Sequence, residues 1–200
     1  MLEPAELLAA LRVVQRDREQ EMLQQWKRAV PFGDQITDRW ARAKALGFGE
    51  GASIYDSALV IGDVTVGERT WIGPNTVLDG SGGLTIGSTC SISAGVQIYS
   101  HDTVKWAVSG GVAPYEQAPV TIGDHSYIGP LTVITKGATI GRHCVIGAHS
   151  IVNRNVPDNS IAFGATCRVV GHVVVHGDGR VDLVYEGGEP DAIDPPARGG

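Results

Sequence analysis

Large aliphatic residues recur at every sixth position along most of this chain. They form three groups, with a constant step inside each group: Ile54, Val60, Val66, Ile72 and Leu78; Ile86, Ile92 and Ile98; Ile122, Ile128, Ile134, Ile140, Ile146 and Val152. A period of six fits neither the 3.6-residue turn of a helix nor the simple alternation of a strand. It fits a short strand followed by a turn, so that three units complete a triangular coil of about 18 residues.

Two further residue types accompany the aliphatic positions. Small residues usually follow four positions later: Ala58, Val64, Thr70, Thr76, Cys90, Val96, Ser126, Thr132, Ala138, Cys144 and Ser150. Glycine often follows directly: Gly67, Gly73, Gly87, Gly123, Gly129, Gly141 and Gly147. We expect the small residues to fill the narrow interior, and the glycines to sit at corners that need unusual backbone angles. Stacking coils about 4.8 Å apart would bury one aliphatic column, so residues 51–171 are predicted to form a parallel β-helix.

The two ends of the chain follow other patterns. Within residues 1–50, apolar and charged positions predict helices at about 4–28 and 37–46, which we expect to pack beside or across the first coils. Residues 172–186 alternate around a Gly-Asp-Gly turn and predict a β-hairpin, capping the open end of the coil or pairing with a neighbouring subunit. Residues 187–200 are rich in Gly, Pro and Asp, and we expect a disordered tail.

Composition narrows the possible partners. The 200 residues are 42% hydrophobic and 19% charged, which suits one domain with a real core. A net charge of −6 argues against nucleic acid as a partner, because no basic surface would neutralise phosphates. No apolar run approaches the ~20 residues of a membrane helix, and no signal peptide is visible. We therefore expect a cytoplasmic protein that does not bind membranes. The three cysteines are expected to act as small apolar residues.

The repeat is interrupted twice, at residues 79–83 and across 99–121. Insertions in solenoids lie on one surface and often carry function, so a site is expected there. The longer loop holds these polar and aromatic residues: His101, Asp102, Lys105, Trp106, Tyr115 and Glu116. An imidazole, with an ordinary pKa near 6.5, can remove the proton of an attacking hydroxyl at neutral pH. His101 is therefore the candidate general base.

Two segments carry a family resemblance. The sequence from Ile98 to Asp102 with that from Ala118 to Gly123, and the closing stretch 152–170, resemble the hexapeptide-repeat acetyltransferases. They are most similar to the maltose, galactoside, nodulation and exopolysaccharide sugar O-acetyltransferases. The resemblance implies an all-β, left-handed β-helix and transfer of acetyl from acetyl-CoA to a sugar or glycan hydroxyl, with His101 as base. It also implies a homotrimer with sites between subunits and no metal.

Further residues have candidate roles, and the resemblance suggests those of the first five. Five match positions that bind the cofactor: Tyr127, Ala148, Asn153, Arg154 and Arg168. Asp102 or Glu116 would orient the imidazole, and the sequence does not choose between them. Asp79 is a candidate acceptor contact, and Trp106 and Tyr115 either stack on a sugar ring or hold the loop down. Pro130 has no N–H, so an oxyanion donor found there in some relatives must come from elsewhere.

Three other functions remain open. Transfer to the amine of an aminosugar or antibiotic uses the same chemistry, and the loop residues do not distinguish amine from hydroxyl. The hexapeptide carbonic anhydrases bind zinc through three histidines, and His125, His143 and His149 occupy the same outward repeat position. A single zinc needs ligands converging at about 2.0–2.1 Å, which residues on different faces of the coil do not provide. The third alternative is a non-catalytic scaffold, in which replacing His101 would change nothing.

Overall fold

The computed structural model describes residues 3–187 and consists of a parallel β-helix with helices before it and antiparallel strands after it. The helices are α1 (Pro4–Trp26), α2 (Phe32–Ile36), α3 (Arg39–Ala45) and α4 (Val104–Val108). The strands are β1 (Ser53–Ile54), β2 (Leu59–Val66), β3 (Trp71–Ile72), β4 (Val77–Ile86), β5 (Ser91–Ile92), β6 (Gln97–Tyr99), β7 (His101–Asp102), β8 (Glu116–Gln117), β9 (Val120–Ile122), β10 (Tyr127–Ile128), β11 (Val133–Ile134), β12 (Thr139–Ile140), β13 (Val145–Ile146), β14 (Ile151–Val152), β15 (Ser160–Phe163), β16 (Arg168–Val175) and β17 (Val181–Tyr185). Beyond Gly187, the predicted tail lies outside the described residues.

The coils, about six in number, stack into three flat faces. The first face contains β1, β3, β5, β10, β13 and β15, each parallel to the next. The second contains the first parts of β2 and β4 with β6, β11 and β14, and the third contains their second parts with β9 and β12. β2 and β4 therefore continue around the corner between the second and third faces, which we call the second corner.

The interior is the aliphatic column that the period predicts. The largest fully buried side chains are Ile54, Ile72, Leu78, Ile86, Ile92, Ile98, Ile122, Ile128, Ile134, Ile140, Ile146 and Ile161. The register aligns each of these except Ile161 with its counterpart one coil away, as Ile128 lies beside Ile146. The small positions other than the partly buried Val64 are buried as well, and the Thr70 hydroxyl donates to the Gly87 carbonyl of the next coil at 2.7 Å. The predicted parallel β-helix is confirmed.

The glycines that follow the aliphatic residues serve a different purpose from the predicted one. None of them has a positive φ; a Cβ on Gly123 would instead lie 2.6 Å from the Arg142 nitrogen, and one on Gly129 would lie 2.5 Å from the Ala148 nitrogen. The left-handed backbone falls two residues later, for example at His125 with φ 59°. The expectation of unusual angles at these glycines is wrong, because close approach of the next coil is what excludes a side chain there.

The N-terminal helices make unequal contact with the coils. Helix α3 packs on β1 and buries Ala43, and the Asp38 side chain caps it by accepting from two backbone N–H groups. Asp34 of α2 accepts from the Asp56 nitrogen at 2.6 Å. Helix α1 has no buried residue and chiefly contacts α2, so the expectation that it covers the coils is wrong. Leu7, Leu11 and Val14, which form the predicted apolar face, are all exposed.

The C-terminal strands extend the first face. β15 pairs antiparallel with β16, and β16 pairs antiparallel with β17, which confirms the predicted hairpin. The first strand of the hairpin begins earlier than predicted, at Arg168. The division of the chain into segments 1–50, 51–171 and 172–186 as separate units stays a prediction. Among residues 3–187, no helix combines the length and apolarity that crossing a bilayer requires.

Candidate active site

Both interruptions of the repeat lie at the second corner, in adjacent coils. Asp79 in β4 is the register partner of Tyr99 in β6. The residues that follow Tyr99 therefore lie directly beside the shorter interruption at residues 79–83. There β7 and β8 pair antiparallel, with His101 opposite Gln117 and Asp102 opposite Glu116. Residues 101–117, which we call the arm, therefore project from this corner as a strand pair with α4 between its strands.

The base of the arm places His101 against Asp79. His101 Nδ1 lies 2.5 Å from Asp79 Oδ2; the carboxylate side chain is 1% exposed, whereas the imidazole side chain is 32% exposed. Asp79 Oδ1 accepts from the Ser81 nitrogen at 3.0 Å and from the Ser81 hydroxyl at 2.5 Å. Oδ2 also accepts from the Ser100 nitrogen at 3.1 Å. The carboxylate is thus fixed from behind and the imidazole is exposed on one edge.

These contacts determine the protonation of the pair. Burial alone would raise the pKa of Asp79, but hydrogen bonds from Ser81, His101 and Ser100 outweigh it and hold the pKa below the ordinary value of 3.8. The carboxylate is therefore ionised at neutral pH and can only accept, so the neutral imidazole carries its proton on Nδ1. That tautomer leaves the lone pair of His101 Nε2 available, which is the arrangement of a general base held by a carboxylate.

A cleft of about 360 Å³ lies beside the exposed edge of the imidazole. It is lined by Tyr99, His101, Asp102, Thr103, Val104, Thr135 and Lys136. A volume of this size, bounded by polar side chains from the arm and from the coil next to it, suits part of a small polar substrate.

The two carboxylates predicted to orient His101 have other partners. Asp102 Oδ2 and Glu116 Oε2 lie 2.7 and 3.1 Å from Lys136 Nζ, and Glu116 Oε1 lies 2.6 Å from Lys105 Nζ. The hydrogen bond from Lys136 lowers the pKa of Asp102, and that from Lys105, followed by that from Lys136, lowers the pKa of Glu116. The structure therefore differs from the expectation: Asp79 contacts His101, because stacking makes the residue one coil away nearer than those along the arm.

The predicted acceptor residues are also placed differently from one another. Asp79 is buried behind His101 and does not line the cleft. Trp106 and Tyr115 pack edge to face on the arm, with ring centroids 5.6 Å apart, while staying 41% and 55% exposed. Their mutual packing stabilises the arm, and their exposed surfaces remain accessible to a ligand.

The predicted cofactor residues do not line the His101 cleft within one chain. Tyr127 lies on the first face in β10, and Ala148 lies at the corner between the first and second faces. Asn153 and Arg154 lie at the second corner, about two coils beyond His101, and Arg168 begins β16. All five are exposed. Within one chain, Tyr127 and Ala148 therefore lie on a different surface from the base, whereas Asn153 and Arg154 share its corner about two coils away.

Three residues of the site escaped the sequence analysis, namely Ser81, Ser100 and Lys136. They can be recognised in the sequence only by comparing residues one coil apart. The alignment of Ile98 with Leu78 and Ile134 places Ser100 and Lys136 at the same corner as Asp79. The alignment of repeat positions is contained in the sequence, but it relates residues that are distant along the chain.

The three histidines of the zinc alternative are separated. His125 and His143 stack with ring centroids 4.8 Å apart, and His149 lies at a different corner. All three have a positive φ, at 59°, 53° and 55°, a conformation in which histidine is enriched. Among residues 3–187, no three His, Cys, Asp or Glu side chains are grouped to hold a metal ion.

Comparison with known sequences agrees with this architecture. The family model described as bacterial transferase hexapeptide (six repeats) matches residues 119–154, and that of the hexapeptide repeat of succinyl-transferase matches 63–100. Galactoside O-acetyltransferase of Escherichia coli K12 is 33% identical over 129 residues, 54% of this chain and 64% of that protein. A probable acetyltransferase of Mycobacterium tuberculosis is 46% identical over 54 residues, 27% of this chain and 18% of that protein. The chain thus spans less than two thirds of the length of these relatives.

Solved structures extend the similarity over more of the fold. A hexapeptide-repeat-containing acetyltransferase of Vibrio cholerae matches 82% of this chain and 91% of its own, with TM-score 0.57 and 26% identity. AntD, an N-acyltransferase of Bacillus cereus in complex with dTDP and 3-hydroxybutyryl-CoA, matches 62% of this chain and 71% of its own, with TM-score 0.57 and 26% identity. The chain therefore contains hexapeptide repeats of the bacterial transferase type and is similar to hexapeptide-repeat acetyltransferases.

Proposed function

We propose that this protein transfers an acetyl group from acetyl-CoA to a sugar hydroxyl, with His101 as general base. The observation that carries the proposal is the contact of His101 Nδ1 with the ionised, buried Asp79, which leaves Nε2 free at the cleft. No residue between 3 and 187 forms a hydrogen bond with Nε2. A base placed in this way contributes about 10²–10⁴ to the rate of a proton-transfer-limited step.

The chemistry follows from that geometry. The acceptor oxygen attacks the thioester carbonyl carbon while its proton moves to His101 Nε2. The carbon–sulfur bond then breaks, and the departing CoA thiolate takes the proton back from the imidazolium. Asp79 stabilises the imidazolium formed between these events and keeps the ring oriented, as a carboxylate does in a catalytic triad.

Direct transfer is favoured over a covalent enzyme intermediate. Cys90, Cys144 and Cys167 are the thiols of this chain, and all three are buried. Burial is the main influence on each and raises the pKa of all three thiols, so little thiolate forms at neutral pH. None of them lines the cleft beside His101.

The exposed cations near the C-terminal coils suit the phosphates of coenzyme A. Arg154 and Arg168 form no ion pair with any residue from 3 to 187, and Arg154 lies close enough to Cys167 to act on its thiol electrostatically. Exposed guanidinium groups that are not neutralised are suited to binding phosphate. Tyr127, Ala148 and Asn153 complete the cofactor surface in this proposal.

The complete site requires more than one chain. His101 and the surface carrying Tyr127 and Ala148 are separate within one protomer, so a neighbouring copy would bring them together. We therefore include the homotrimer implied by the family in the proposal. Large apolar side chains on the surface of the coils support the homotrimer: Leu131 is 51% exposed and Ile151 is 40% exposed. Sedimentation equilibrium of the purified protein tests this part directly.

A sugar is the acceptor class that the arm suits best. The exposed surfaces of Trp106 and Tyr115 offer a sugar ring an apolar face, and the polar side chains among those lining the cleft offer partners for its hydroxyls. The sequence similarity to galactoside O-acetyltransferase supports oxygen as the acceptor atom.

Transfer to an amine is the second candidate, supported by the similarity to AntD, an N-acyltransferase. The test is CoA release from acetyl-CoA, measured with a thiol reagent, across sugars that carry only hydroxyls and matched aminosugars. Turnover with hydroxyl sugars supports the first candidate, and turnover confined to aminosugars supports the second. No turnover with either set would contradict the proposal.

A further inference from the structure

Lys136 connects the arm to the body of the β-helix. It lies at the second corner, two residues after Ile134, which is aligned with Ile98 in the neighbouring coil. Its ammonium group contacts one carboxylate from each strand of the arm, Asp102 of β7 at 2.7 Å and Glu116 of β8 at 3.1 Å. These two residues lie directly opposite each other in the strand pair, so one side chain ties both strands to the next coil.

The other side-chain contacts of the arm do not replace this tie. Lys105 also binds Glu116, but Lys105 belongs to the arm itself. Among the described residues, the ion pairs that join the arm to the coils are those of Lys136 and the pair between His101 and Asp79. At the foot of the arm, Ala118 donates to the Ser100 carbonyl at 2.9 Å, which anchors the backbone there but does not involve the strand pair β7–β8.

The surroundings of Lys136 make the tie tighter than an ordinary surface pair. The Lys136 side chain is 24% exposed, whereas that of Lys105 is 66% exposed. An isolated, fully exposed pair contributes little, because water competes and the side chains lose entropy. A partly covered ammonium held by two carboxylates forms a small network, and its main effect is on geometry.

We infer that Lys136 is a positioning residue, which clamps the arm so that His101 stays in contact with Asp79. The inference rests on the proposed function, in which His101 is the base. Asp102 is adjacent to His101 in β7, so a shift of the arm at Asp102 also moves the imidazole. Displacements of about 1 Å can reduce a rate about 10²-fold, since proton transfer depends on a short, aligned contact.

The test compares four variants with the wild-type protein. Lys136→Met removes the ammonium and keeps the length of the side chain, and Lys136→Arg keeps the charge. Lys105→Met is the matched control, because it removes an ion pair to the same Glu116 without touching the tie to the coil. The double variant D102N/E116Q removes the charge of both carboxylates that bind Lys136. It replaces Lys136→Met in the test if that variant does not fold.

Two readouts are used. The first is steady-state CoA release with whichever acceptor the turnover screen identifies: Lys136→Met should lower kcat about ten- to a hundredfold with the KM for acetyl-CoA and for acceptor within about twofold. Lys136→Arg should recover most of kcat, and Lys105→Met should match the wild type. The second readout is the ¹⁵N chemical shifts of the His101 ring nitrogens at pH 8, assigned with His101→Ala. The wild type should show one tautomer, protonated at Nδ1, and Lys136→Met a mixture of both.

The two readouts separate this inference from the proposed function. If the wild type transfers nothing to any acceptor, the proposed function fails, while the ring tautomers still decide the role of Lys136. A single Nδ1–H tautomer in both Lys136→Met and D102N/E116Q would overturn the inference. So would an unchanged kcat, or a loss confined to the KM for acceptor, which would instead mean that Lys136 contacts the substrate.

Discussion

His101 Nδ1 lies 2.5 Å from Asp79 Oδ2, although the two residues are 22 positions apart in sequence. The contact arises because the two interruptions of the repeat stack at one corner of the β-helix, in adjacent coils. A buried carboxylate behind a partly exposed imidazole is the relationship on which the proposed acetyl transfer depends.

Replacing Asp79 by Asn tests the orienting role. An amide can present its NH₂ group to Nδ1 and stabilise the tautomer protonated at Nε2, which cannot accept a proton from the acceptor. We expect kcat to fall about 10²–10⁴-fold with the KM for acetyl-CoA little changed, measured by CoA release. Asp63→Asn is the matched control, since Asp63 lies at the same corner one coil away and is exposed. Equal rates in Asp79→Asn and wild type would show that the carboxylate does not act through His101.

Asp79 should also make stability depend on pH in the acid range. Its folded pKa is below the ordinary value of 3.8, so the unfolded chain binds more protons as the pH falls. The stabilisation from the ionised carboxylate is therefore full above 3.8 and disappears as the pH falls through the lower, folded value. Urea unfolding at several pH values between about 6 and 3 should show the gap between wild type and Asp79→Asn narrowing toward acid. A gap that is constant or widens would contradict this sign.

The corner glycines give a test of the packing argument. Gly123→Ala should destabilise the fold by about 2 kcal/mol or more, because the new Cβ would meet backbone of the next coil 2.6 Å away. Gly110→Ala is the contrasting variant: its φ is +71° but nothing lies within 4 Å, so only the cost of the left-handed conformation, about 1 kcal/mol, applies. Urea unfolding of both measures the difference. A larger loss at Gly110 would mean that backbone conformation, not close approach, dominates.

Coenzyme A binding should depend on the guanidinium groups of Arg154 and Arg168, which form no ion pair with any residue from 3 to 187. Arg154→Gln and Arg168→Gln should each raise the KM for acetyl-CoA about tenfold with kcat nearly unchanged, because they remove charge-assisted contacts far from the reacting carbonyl. Arg142→Gln is the control, since Arg142 is exposed and paired with Asp158 at a different corner. A fall in kcat without a change in KM would place these residues elsewhere in the reaction.

Much of the fold can be predicted from the sequence because one rule is repeated many times. Every six-residue unit needs a large inward aliphatic residue and a small one. The period of six therefore indicates directly which residues are buried, as Ile128 and Ile146 show. Helix α1 was harder to place, since its apolar residues alternate with charges around the helix and no partner is defined by spacing alone.

The site was less predictable for a related reason. The sequence indicates the arm and His101, because a long interruption in a regular repeat is visible along the chain. The orienting carboxylate is not visible in the same way, since Asp102 is the neighbour in sequence whereas Asp79 is the neighbour in space. The stacking register supplies that information, and it becomes available only when residues are compared coil by coil.

The most direct test of the account is the rate of CoA release from acetyl-CoA in the presence of a sugar acceptor, compared between wild type and His101→Ala at matched oligomeric state. The account predicts acceptor-dependent turnover by the wild type, and a loss of about 10²–10⁴ in His101→Ala with acetyl-CoA still bound. Unchanged turnover in His101→Ala would contradict it.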